Sequence, residues 1–158
     1  MVRMRVIETG SVGAPPELVY GLVADMREHH AHFLPTSLKD LRVEQGGHGA
    51  GTRYRVTGVF LGGERVLRMR LDEPEPGRVL TESDLDSPLV TTWTIAPEPG
   101  GTRVTIETVW PSAGGLGGLL ERLLAPRAMG KVYREELRLL DRYARTVTHE
   151  ATTAPQPA

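Results

Sequence analysis

The chain contains no cysteine in its 158 residues, which excludes disulfides, thiolate zinc sites and cysteine nucleophiles together. Long apolar runs are missing too: none approaches the roughly 20 residues needed to span a bilayer. The start, Met1-Val2-Arg3-Met4-Arg5, passes straight into alternating sequence without the apolar stretch of a signal peptide, so a cytoplasmic location is expected. Neither sign of charge dominates. Lys and Arg number 19 against 20 Asp and Glu, for a net charge of −1, without the basic excess usual in a nucleic-acid binder. No nucleic-acid partner is expected. Nucleophile signatures are also absent, since no Gly-X-Ser-X-Gly elbow surrounds any of Ser11, Ser37, Ser83, Ser87 or Ser112. The glycine-rich run 114–118 superficially suits a phosphate loop. It lacks the third glycine of the dinucleotide fingerprint and any Gly-Lys-Ser/Thr, and it reads as a flexible connection. Nothing in the sequence implies a cofactor or a bound metal.

What is present is a long amphipathic helix near the end, from about Leu116 to Arg145. At about 100° per residue, Met129, Val132, Tyr133, Leu137, Leu140, Tyr143, Ala144 and Val147 share one arc. Arg127, Lys131, Arg134, Arg138, Arg142 and Arg145 share the opposite one. A single helix with so much apolar surface needs a large partner, and some seventy residues of strand-like sequence precede it. Period-two segments cover 2–12, 41–45, 52–61, 65–72, 78–84, 89–96 and 103–110. Short Gly- and Pro-rich breaks separate the last six, as in an antiparallel meander. Between the first strand and the meander, Ala14-Pro15-Pro16-Glu17 opens a short helix, and a second short helical segment over 28–34 stops at Pro35. Pro126 is expected to kink or divide the long helix. Residues 148–158 carry no apolar pattern and are expected to be a disordered tail, leaving 1–147 as the domain.

The order strand, two short helices, six-strand meander and long terminal helix resembles the START-like (SRPBCC) superfamily. Supporting it are Ala14-Pro15-Pro16-Glu17, Asp25, Phe33-Leu34-Pro35, Gly51-Thr52-Arg53-Tyr54, Gly101-Thr102-Arg103-Val104, and the leucines Leu137 and Leu140. The superfamily includes polyketide cyclases, lipid-transfer domains and plant pollen allergens. The resemblance implies an α+β helix-grip fold: a curved antiparallel sheet of about seven strands wrapped around the C-terminal helix, with a cavity between them for an apolar molecule. Function varies widely on such a fold.

Tyr54, Phe60, Met69, Trp93 and Trp110 on strands, with Met129 and Tyr133 on the helix, are candidate cavity-lining residues and equally ordinary core residues. Glu136 interrupts the apolar arc. A carboxylate there is costly unless paired or protonated. It is expected either to pair with a strand arginine such as Arg68 or Arg70, or to face the cavity and orient or protonate a ligand. Glu82, Asp84 and Glu107 alternate on strands, and solvent is their plainer reading. His29, His30 and His32 form the one histidine cluster. A third metal ligand at a suitable spacing is missing, and His32 is a candidate polar gate at the cavity rim.

These residues point first to binding of a small hydrophobic molecule, such as a lipid or polyketide. The alternative is a polyketide cyclase or aromatase with Glu136, Tyr133, Tyr54 or His32 as acid/base groups. A further alternative is an interaction module acting through the basic helix face, including contact with an anionic membrane.

Overall fold

The computed structural model describes residues 2–60, 62–155 and 157. Leu61, where the expected third strand ended, lies outside the described residues, as do Met1, Gln156 and Ala158 of the expected domain and tail. Seven antiparallel strands form one sheet: β1 (Arg3–Val12), β2 (Leu38–Gln45), β3 (Arg53–Phe60), β4 (Gly63–Glu75), β5 (Val79–Asp84), β6 (Val90–Glu98) and β7 (Gly101–Pro111). Their spatial order is β1-β7-β6-β5-β4-β3-β2. Every strand after β2 thus pairs with its sequence neighbour, and the return of β7 to β1 sets the first strand at the edge. The α+β helix-grip arrangement expected from the sequence is the one found.

Alternation along the strands decides the inner face. Met4, Val6 and Val12 of β1, Tyr54 and Val56 of β3, and Leu80, Glu82 and Asp84 of β5 are buried while their neighbours are not. On β7 the buried set is Thr102, Val104, Ile106, Thr108 and Trp110. Against this face lie α1 (Pro16–Ala24), a single 3-10 turn His30–Phe33 and the long helix α2 (Gly115–Thr153). Pro15 and Pro16 start α1 where a missing N–H costs nothing. Tyr20 on α1 donates to Glu73 Oε1 at 2.7 Å, fastening that helix to β4. The second expected helix shrinks to the turn because Asp25 ends α1, its Oδ1 accepting from the backbone of Arg27 and Glu28.

Helix α2 buries Val132, Tyr133, Glu136, Leu137, Leu140 and Ala144, which fixes its rotation as the apolar arc predicts. Three features of α2 differ from expectation. The run 114–118 is no flexible connection: the helix begins at Gly115, and a side chain on Gly118 would collide with the Ala113 carbonyl. Pro126 sits inside one continuous helix and does not divide it. The expected tail is helical through Thr153, where the hydroxyls of Thr148, Thr152 and Thr153 bond back to carbonyls four residues earlier. Among the described residues no helix is long and apolar enough to cross a membrane.

Candidate functional site

The sheet and α2 do not meet along their whole length, and the gap is a cavity of about 270 Å³. Antiparallel register builds its wall. Tyr54 on β3 stands opposite Met69 on β4, and Glu82 on β5 stands opposite Thr91 on β6, two residues from Trp93 on the same face. Met129, Val132 and Tyr133 close the side formed by α2. All eight residues singled out as ligand-binding candidates line this space: Tyr54, Phe60, Met69, Trp93, Trp110, Met129, Tyr133 and Glu136. Arg65 is the one exposed side chain among its lining residues.

Polar groups gather at one place on this apolar wall. Glu136 is 3% exposed, and its partner is neither Arg68 nor Arg70. Those arginines lie on the other face of β4 from Met69, paired with Asp86 and Asp72. The partner is His30, whose Nε2 lies 3.6 Å from Glu136 Oε1. The other ring nitrogen, Nδ1, is 2.8 Å from the Val23 carbonyl. A carbonyl only accepts, so Nδ1 carries a hydrogen and Nε2 is the nitrogen that faces Glu136 and gains or loses the second proton. Burial pushes the Glu136 carboxyl above its ordinary value, against the pull of His30. Burial alone would lower His30, but Glu136, Glu82 and the Val23 carbonyl outweigh it and hold the imidazole up.

Glu82 also turns inward, against its plainer reading, because the period-two pattern on β5 puts it on the same face as Leu80. Its Oε2 accepts from Trp93 Nε1 at 3.2 Å, while Oε1 has no hydrogen-bond partner among the described residues. Asp84 follows it inward and takes Arg65 at 3.0 Å. Glu107 keeps the solvent-side reading and pairs with Arg5 at 2.9 Å. Tyr54 and Tyr133 are raised, first by burial and then by the nearby carboxylates in the case of Tyr54. The hydroxyl of Tyr133 is bonded to Thr108, which bonds Thr91 at 2.7 Å.

His32 is not at the rim. It is exposed and stacks on Tyr143 with ring centroids 4.8 Å apart, while His29 Nδ1 lies 2.8 Å from the Tyr143 hydroxyl. The 3-10 turn explains the exchange. Residues three apart eclipse in such a turn, so His30 and Phe33 both point inward and His29 and His32 both meet Tyr143. Helical spacing, the pattern read from the sequence, cannot choose among the three histidines. Among the described residues no three His, Asp or Glu side chains are grouped to hold a metal ion.

A family model described as polyketide cyclase / dehydrase and lipid transport matches residues 3–145. The NMR structure of KanY protein is 27% identical over 92% of this chain and 99% of that one, with a TM-score of 0.81. The crystal structure of TTHA0849 from Thermus thermophilus is 25% identical over 92% and 99%, with a TM-score of 0.76. The Zhui aromatase/cyclase from Streptomyces sp. R1128 shares the fold at a TM-score of 0.75 and 17% identity, covering 99% of this chain and 100% of that chain. No curated protein matches by sequence.

Proposed function

This chain belongs to the polyketide cyclase / dehydrase and lipid transport family, and from that premise we propose that it binds a small hydrophobic molecule between its sheet and α2. The observation that carries the reading is the cavity itself, about 270 Å³ enclosed mainly by apolar and aromatic side chains with a few polar groups at one place. That is the composition of a ligand pocket, in which apolar area supplies affinity and sparse polar groups set orientation. The test is native mass spectrometry of protein purified from its own host. A co-purified small molecule of constant mass supports the reading, and protein without any bound species counts against it.

The His30–Glu136 pair favours a second reading, cyclisation of a poly-β-keto chain. In the charge-separated form the Glu136 carboxylate would take a proton from a carbon between two carbonyls. The electron pair released would attack a second carbonyl carbon, and the His30 imidazolium would protonate the resulting alkoxide oxygen. Proton passage from Glu136 back to His30 Nε2 would restore the pair, so the step needs no added reactant. The cavity would hold the chain folded for that attack. Glu136→Gln would then abolish turnover of a linear poly-β-keto thioester while apolar ligands still bind. Unchanged turnover would return Glu136 to a structural role.

A further inference from the structure

The side of α2 facing away from the core changes character along its length. At about 100° per residue, Leu116, Leu119, Leu120, Leu123 and Leu124 fall on the same side as the basic residues that run from Arg127 to Arg145. A spacing of three and four is what ordinarily lays a helix on a core. Among the described residues nothing covers it: Leu116 is 87% exposed, and Leu119, Leu120 and Leu123 are each more than half exposed. Contiguous apolar surface of this kind marks an interaction site.

Charge narrows the choice of partner. Glu121 is the one acidic residue between positions 112 and 134. Its carboxylate is held by Trp110 Nε1 and the Ala113 amide, both at 2.9 Å. Arg134 and Arg145 are ion-paired to Glu8 and Asp141, which leaves Arg127, Lys131, Arg138 and Arg142 to set the field beside the leucines. A second copy of the chain would bring the same cations onto themselves. The ridge is convex and of one residue type, suited to a soft acyl boundary flanked by anions.

We propose that this side of α2 docks on an anionic lipid bilayer, with the leucines entering the boundary between headgroups and acyl chains and the basic residues resting on the headgroups. The contact is interfacial, not spanning. Glu121 and Ala125 line the cavity from the same turns, so docking sets that end of the cavity near the bilayer. The docking stands whether or not the cavity carries an apolar ligand.

Sedimentation of the whole chain with vesicles tests this. Vesicles of phosphatidylcholine with about one-third phosphatidylglycerol should carry the protein down at least about tenfold better than phosphatidylcholine alone, with the difference lost in high salt. The triple substitution Leu119→Ser, Leu120→Ser, Leu123→Ser should cut binding by about tenfold or more while leaving the melting temperature unchanged. Arg127→Glu with Lys131→Glu should do the same. No binding to either vesicle, or binding untouched by the serine substitutions, overturns the proposal. So does light scattering that shows a dimer dissolved by those substitutions without any vesicle binding, which would give the ridge to a second copy. Capture by polyglutamate but not by vesicles would give it to an acidic protein, and that result overturns the proposal as well.

Discussion

Burying an imidazole and a carboxylate side by side in an apolar cavity ties the stability of this fold to pH. Both His30 and Glu136 sit above their ordinary values of 6.5 and 4.5, so the folded chain keeps protons that the unfolded chain has released. The stability they lend is complete below those ordinary values and is lost as pH rises through the raised ones. The lowered carboxyls, Glu75 and Glu107 bonded to Arg78 and Arg5 and Glu121 bonded to Trp110, act in the opposite sense and only at more acid pH. The melting temperature should therefore fall between about pH 6 and pH 8, and Glu136→Gln should flatten that slope. A wild-type profile flat across the interval would contradict the assignment. At this scale the sequence was informative where periodicity applied. Glu136 stood out because a 3.6-residue period put it among Val132, Tyr133 and Leu140. His30 did not, because a four-residue turn offers no period from which to choose among neighbouring histidines.

Helix α2 carries two apolar faces, and they respond oppositely to substitution. Leu140 is fully buried, and Leu120 is 58% exposed. Leu140→Arg should unfold the domain, since an unpaired charge would enter the core at a cost above about 3 kcal/mol. Leu120→Ser should change stability by no more than about 0.5 kcal/mol. Thermal melts of both variants check this, and a near-native melt for Leu140→Arg would mean that the helix is rotated from the position described. Legibility followed the same division. The strands and the inner arc of α2 were readable because burial imposes a period on sequence. Leucines 116–124 fell within the expected helix, but their exposed face was not legible, because spacing shows which residues share a side and not whether a partner covers it. The helical turns from Thr148 to Thr153 were missed because hydroxyl-to-carbonyl bonds leave no apolar signature.

For the molecule as a whole, one geometric fact organises the rest: a sheet that bends around a helix without filling the space between. The eight ligand-binding candidates fall on that space because each strand has one inner face and α2 has one inner arc. Alternation cannot tell a filled interior from a hollow one, so neither the volume nor the ligand was legible. Both tryptophans of the chain, Trp93 and Trp110, stand on the cavity wall, and tryptophan emission therefore reports on this space. The direct measurement is energy transfer from those tryptophans to a neutral apolar probe, N-phenylnaphthylamine, in wild type and in Ala128→Phe, which adds a ring to the cavity lining. Saturable transfer with one probe per chain, weakened about tenfold or more by the added ring, is the predicted result. Absence of saturable transfer, or equal transfer in a folded Ala128→Phe variant, would contradict a ligand held between sheet and helix.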